Sequence, residues 1–447
     1  MYKKLIALAL AGTMMITSLT GCGRDAGTAG SKDAAETTGA TTDQATTGAQ
    51  ADSGEAVTIK VSLWDYSNTE YYKAIFKAFE TSHPNIKIEP VEASSAEYDD
   101  LIQVKMASKE DFDVVFSKGT PALSALVAKG HMQALDDMMA SDPEFNKDAY
   151  GGLTDQLMLE GKTYSIPFRK DNNLLYFNKD LFDAAGVAYP EDGMTMEEYR
   201  ELAKKLTSGE GNEKVYGAYV HTWASSVYQF ARRMEEYVMD DEDKSSLLPY
   251  YKTILAMQNE DKTIMDYGSL KASSTHYSGV FYNQQVCMLQ MGTWFINNLV
   301  ENVDFNWGVC SLPNVSGVGN TKAVGGVTPV GIGAYSKHPK EAWEFIKYAT
   351  GEEGALVLAQ NGILPGYSSD KIMEIFDSLP EKRAGVPEKL STYLDLDTYV
   401  IEQPMHSQGR EISKIIDEEH DLIMTNSISP EDGLKEMTDR INELLGR

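Results

Sequence analysis

The chain reads as an α/β protein built from two packed units. Three observations predict this. Apolar residues recur first with period two and then with helical spacing, in turn, along the chain. The strand patterns are separated by helical ones, an order that yields sheets flanked by helices. A length of 447 residues exceeds what one hydrophobic core usually fills.

The elements follow in order. Val57, Ile59, Val61 and Leu63 alternate with polar neighbours, as in a strand with one buried face. Tyr72, Ile75, Phe76 and Phe79 then fall at i, i+3, i+4 and i+7, a helical stripe that stops before His83-Pro84. Residues 86–91 predict a second strand, 95–107 a helix, and FDVVF at 112–116 a third strand leaving into SKGTP. The alternation implies a mainly parallel sheet. The second unit begins around DNNLLYFNKDLFDAAGV, with helices expected at 196–207, 225–239 and 247–258 and strands at 215–220 and 285–291.

In open α/β sheets, ligands gather outside the carboxyl ends of the strands. Trp64, Asp65 and the 117–120 loop containing Lys118 lie at such ends. VYGAYV empties into HTWASS, bringing His221 and Trp223 to another, and QVCMLQM empties into GTW, bringing Trp294 to a third. For Trp64 two readings stand: a buried anchor of the turn, or a stacking platform on the wall of a cleft between the units. Trp343 sits on the face of Ala342, Phe345, Ile346 and Ala349 and is expected in the core. Trp307, at the start of NWGVCSL, is left open.

The net charge of −27, from 40 Lys plus Arg against 67 Asp plus Glu, argues against nucleic acid, whose phosphates need a basic face. No HExxH, GxSxG, P-loop or EF-hand pattern occurs, GIGAYS at 331–336 lacks the third glycine of a dinucleotide fingerprint, and the seven histidines lack metal-ligand spacing. No enzyme, metal or cofactor is expected. Cys287 and Cys310 lie in apolar runs and are expected as unpaired core thiols.

Residues 1–21 read as a secretory signal, with Lys3 and Lys4, a short apolar run and a small-residue processing site. Leu19-Thr20-Gly21-Cys22 looks like a bacterial lipobox, which makes Cys22 the lipidated first residue of the mature chain. Removing 1–21 takes away two lysines and no acid, leaving a charge of −29. From Gly23 to Gly54 there is no Val, Ile, Leu, Met or aromatic residue, so 22–54 is expected to be a disordered tether spanning roughly 30 Å. Two acyl chains suffice for stable anchoring.

The stretches GKTYSIPFRKDNNLLYFNKDLFDAAGV (161–187), MTMEEYRELAKKL (194–206) and GGVTPVGIGAYSKHPKEAWEFIKYATGEEGALVLAQNGILPG (325–366), in that order, resemble the bacterial extracellular solute-binding proteins (family 1, sugar-binding type) that feed ABC importers. The resemblance runs from about Val57 to the end. It implies a two-lobed periplasmic-binding-protein-like fold (type II), each lobe a mainly parallel sheet, with the lobes joined by crossover hinges. Carried onto this chain, lobe 1 would be 55–167 plus 329–362 and lobe 2 would be 171–326 plus 366–447. One departure is Asn283-Gln284-Gln285-Val286, where many relatives carry a glycine-lysine-alanine run.

The resemblance further implies capture of a carbohydrate, an oligosaccharide, by a monomer on the outer face of the cytoplasmic membrane, anchored through palmitate-type lipid as in Gram-positive members, and its delivery to ABC permease subunits. Trp64, Tyr176, Trp223 and Trp294 would stack on sugar faces. Asp65, Lys118, Arg169, Asp171 and Asn283 would read hydroxyls, and Gly325 and Gly326 would let backbone approach the ligand. The alternatives are another solute on the same fold, such as a polyamine or peptide, and a secreted glycoside hydrolase.

Overall fold

The computed structural model describes residues 56–319, 322–396 and 398–447. The signal, Cys22 and the tether lie outside the described residues. Among the described residues thirteen strands run in chain order: β1 (Val57–Trp64), β2 (Ile86–Ala93), β3 (Val114–Phe116), a small hairpin of β4 (Met158–Leu159) and β5 (Lys162–Thr163), β6 (Ile166–Lys170), β7 (Asn173–Asn178), β8 (Tyr216–Tyr219), β9 (Val286–Gly292), β10 (Trp307–Ser311), β11 (Ala323–Gly325), β12 (Val327–Ile332) and β13 (Tyr399–Ile401). One sheet has the order β2-β1-β3-β12-β6 and the other β10-β7-β9-β8; β11 pairs with β13. These are the two lobes.

The sheets are mixed, each carrying one strand that runs against the others of its lobe. β1 is parallel to β2 and β3, but β12 is antiparallel to both its neighbours; β8 is parallel to β9, but β7 is antiparallel to both of its own. The cause is connectivity. β7 and β12 are the strands by which the chain enters a lobe from the other one, so each starts at the interlobe edge where the other strands end.

The cores follow the predicted periodicities. Tyr72, Ile75, Phe76 and Phe79 are the buried residues of the helix Glu70–Ser82, which packs them on the first sheet. On β7, Leu174 and Tyr176 point into one core and Leu175 and Phe177 into another, so the second sheet is covered on both faces. The helix Met196–Leu206 begins with a capping box, Thr195 with Glu198. The helix expected over 225–239 is shorter, Ser225–Arg233, because Glu235 adopts φ 59° and reverses the chain. Trp343 is buried as expected, its Nε1 donating to Asp142 at 2.8 Å, and Trp307 proves to be core. Cys287 and Cys310 are buried and unbridged.

Three chain crossings tie the lobes together. The first passes from β6 to β7 through Asp171 and Asn172, the second from β11 to β12 through Gly326. The third lies at 363–366, where Ile363 belongs to the first core and Leu364 to the second. They hydrogen-bond side by side. Asp171 N–H donates to Gly326 O at 2.9 Å, Lys170 N–H to Leu364 O at 3.0 Å and Gly366 N–H to Phe168 O at 3.0 Å. Tyr399 clamps the first two, its hydroxyl 2.8 Å from both Asp171 O and Gly326 O.

Candidate functional site

Strand ends from both lobes open onto one cavity of about 520 Å³. From the first lobe come Trp64 at the end of β1, Ser95 after β2, Lys118 after β3, Arg169 on β6 and Thr328 on β12; from the second come Trp223, Trp294, Tyr277, Gln229 and Gln290. Asp171, Gly326 and Glu402, at or beside the crossings, form the floor. Strand ends converge because all but the entering strands point toward the crossings.

The aromatic wall is unequal. Trp223 is 42% exposed and stands 6.4 Å, centroid to centroid, from Trp294 and 5.8 Å from Tyr277. His221 props it edge-on at 4.2 Å; burial, with His276 nearby, pushes the His221 imidazole down to about 4, so it is neutral near pH 7. Trp294 Nε1 donates to Tyr277 Oη at 3.4 Å. Trp64 is 8% exposed and packed against Tyr98 at 5.3 Å and Tyr72 at 6.4 Å. Trp64 therefore anchors the end of β1 and also lines the cavity.

The polar groups fall into two sets. On the first lobe, Arg169 Nε donates to Thr328 Oγ1 at 3.0 Å and Lys118 Nζ to Ser95 O at 2.7 Å. At the floor, Gln290 Nε2 donates to Gln229 Oε1 at 2.9 Å and Gln229 Nε2 donates to Glu402 Oε2. Withdrawal from water pushes Glu402 up to about 7, the Gln229 hydrogen bond opposing and the Asp171 charge adding to it. The same desolvation pushes Asp171 up to about 6 against the pull of Arg169.

Seven of the eleven sequence-predicted ligand residues meet here: Trp64, Lys118, Arg169, Asp171, Trp223, Trp294 and Gly326. Four do not. Asp65 turns away with φ 50°, accepts from Ser95 N–H at 3.0 Å, and lines a neighbouring cavity of about 340 Å³ behind Arg169 and Trp294. Tyr176 is fully buried three residues down β7, packed on Phe295 and Trp307, because its strand parity aims it into the second lobe's core. Asn283 is exposed at the amino end of β9, opposite the end that meets the cavity. Gly325 serves the hinge: a Cβ there would lie 1.8 Å from Asp171 O, so its missing side chain admits another backbone, not a ligand. Sequence reasoning missed Tyr277, Gln229, Gln290 and Glu402. Only Glu402 carried a signal, since YVIEQP places it just past a strand.

Two lobes that close a polar, aromatic-walled cavity against a three-crossing hinge define a solute-binding protein. The profile of the bacterial extracellular solute-binding protein family matches residues 66–356, and the chain belongs to that family. A sugar transporter from Rhizobium etli, solved in an open conformation, superposes with a TM-score of 0.73 at 34% identity, covering 87% of this chain and 99% of that one. The ABC substrate-binding protein Lmo0181 from Listeria monocytogenes, in complex with cycloalternan, gives a TM-score of 0.73 at 22% identity over 88% of this chain and 100% of its own. The sn-glycerol-3-phosphate-binding periplasmic protein UgpB of Salmonella typhimurium is 22% identical over 423 residues, 88% of this chain and 94% of its own.

Proposed function

We propose that this protein is the substrate-binding component of an ABC importer, that it captures a carbohydrate between its lobes, and that it is held to the membrane by lipid on Cys22. The observation that carries the carbohydrate reading is one cavity lined by indoles from both lobes, Trp64 from the first and Trp223 and Trp294 from the second, interleaved with hydrogen-bonding groups. A sugar has apolar C–H faces that gain from flat aromatic partners and hydroxyl edges that need directed hydrogen bonds. Neighbours whose structures hold sugars, such as the cycloalternan complex, support the same reading.

Capture works by closure. Solute rests on one wall, and the other swings in about the crossings at 171–172, 326 and 363–366. Ligand favours the closed form only through contacts that the open form lacks, so residues facing one another across the cavity, Lys118 and Arg169 against Trp223 and Gln290, carry that differential affinity. The lobes divide as 55–167 plus 329–362 and 171–326 plus 366–447, and the closed pair presents the surface that a permease reads.

A thermal-shift panel of neutral oligosaccharides, amino sugars, glycerol phosphate, polyamines and peptides tests the reading. A sugar at about 100 times its dissociation constant stabilises the fold by about 2.7 kcal/mol, and X-ray scattering then shows a more compact particle. A panel in which only a non-sugar shifts the midpoint defeats the carbohydrate reading, and release of reducing ends from the glycans would reveal a hydrolase instead. Labelling with an alkynyl fatty acid that disappears in Cys22→Ser tests the anchor.

A further inference from the structure

The floor of the cavity is chemically one-sided. A methyl group placed on Gly326 would lie 3.6 Å from Glu402 Oε1 and 4.0 Å from Asp171 Oδ2, so two carboxylates bracket a single point at the hinge. Asp171 is 6% exposed, and its Oδ1 has no hydrogen-bond partner among the described residues. Gln290, 4% exposed, spends its amide N–H on Gln229 and leaves Oε1 in the same condition. The two buried atoms without a partner among the described residues of this floor are both acceptors. A ligand that completes the site must bring donors.

Charge narrows the choice. Among the described residues neither Asp171 nor Glu402 has a cation within ion-pair distance; the Arg169 charge pulls on Asp171 and the Arg232 charge on Glu402, but desolvation outweighs both, and a carboxylate withdrawn from water without a contacting partner is costly. A hydroxyl would satisfy the hydrogen bonds but not the charge; an ammonium does both. The surroundings agree. Glu402 is shared with a second cavity of about 750 Å³, whose lining adds Asp99, Glu411, Asp417, Glu418 and Asp421 against only Lys118, Arg410 and Lys414. Two of those cations are engaged already, Arg410 with Asp100 and Lys414 with Glu418. Above the floor, the faces of Trp223, Trp294 and Tyr277 attract positive charge rather than repel it.

We propose that Asp171 and Glu402, with Gln290 beside them, form a subsite for a protonated amino group, so that the captured carbohydrate is an amino sugar or an oligomer of one. This rests on the carbohydrate reading above. No bond is made or broken; the step is transfer of an ammonium from water to two carboxylates, with Arg169 and Lys118 of the first lobe left for hydroxyl oxygens.

Calorimetric titration of the whole chain with glucosamine dimers to tetramers and with their N-acetylated counterparts, at one pH near neutrality, isolates the charge, since rings and hydroxyls are otherwise the same. The amine forms should bind about ten- to a hundredfold more tightly, and Glu402→Gln and Asp171→Asn should each reduce that ratio by about tenfold. Both substitutions preserve shape; circular dichroism and the unfolding midpoint verify the fold. Equal or tighter binding of the acetylated forms, or a ratio unchanged in both folded variants, overturns the proposal. Maltotriose and spermidine separate the two levels of inference. Tight maltotriose binding with no preference for amines refutes the subsite and leaves the carbohydrate reading intact. Glu402-dependent binding of spermidine with no sugar bound upholds an amine site and refutes the carbohydrate reading. Failure of all four probes overturns both.

Discussion

Trp223 offers the sharpest separation of binding from folding. It is 42% exposed on the cavity wall. A tryptophan side chain presents roughly 250 Å², so on the order of 100 Å² remains for a ligand to cover, worth about 2.5 kcal/mol at about 25 cal/mol per Å². Trp223→Ala should therefore weaken the best sugar of the panel by up to about seventyfold. Stability should fall by less than in Trp64→Ala, because the exposed part of the ring stabilises nothing until ligand arrives and only the part packed on His221, Tyr277 and Trp294 is lost from the fold. Trp64→Ala should behave the opposite way. That ring is 8% exposed and packed on Tyr72 and Tyr98, so its loss empties core volume and costs about 3–5 kcal/mol of folding free energy. Titration calorimetry reads the first effect and urea unfolding the second. If Trp223→Ala binds within about twofold of the parent, or loses as much stability as Trp64→Ala, the division of labour drawn from exposure is wrong.

Two other predictions concern the hinge floor. Glu402 is pushed up to about 7 from the ordinary 4.5, so between those values the folded chain holds a proton that the unfolded chain has released. Stability contributed at that position is thus lost as pH rises through the window, and Glu402→Gln, which cannot ionise, should gain on the parent by up to ~3 kcal/mol between about pH 5 and about pH 8; a difference that stays flat in urea titrations across that range rules it out. Gly325→Ala should destabilise by at least about 2 kcal/mol, since its Cβ must displace the Asp171 carbonyl at 1.8 Å and with it the paired crossings, whereas Gly326→Ala, 3.6 Å from Glu402 Oε1, should fold normally and bind less tightly. Unfolding midpoints of the two variants decide this.

The resemblance and the strand-end rule carried much of the site, and where they failed the reason is specific. Trp64, Trp223 and Trp294 meet at one cavity because a residue at or just past the end of a strand sits at its carboxyl end. Asn283 failed by the same rule, since it precedes its strand. Tyr176 failed because side-chain parity on β7 depends on which face of the sheet meets the cleft, and a strand buried on both faces gives no alternation to read. Gln229 and Gln290 carried no local mark, being polar residues whose partners lie 61 positions apart in the chain or further.

Local order was thus set by the sequence alone: the period of each strand and helix, the capping box at Thr195, and the glycines that punctuate the crossings. Those depend on neighbours within a few residues, and backbone geometry imposes them wherever the segment lies. Tertiary structure alone decided the reversed strands β7 and β12, the role of Gly325 as a seat for a carbonyl, and the meeting of Asp171 with Glu402. Each of these joins segments more than 60 residues apart, and which carboxylate ends up beside which is fixed by how two sheets share a hinge, a relation with no local trace in the chain.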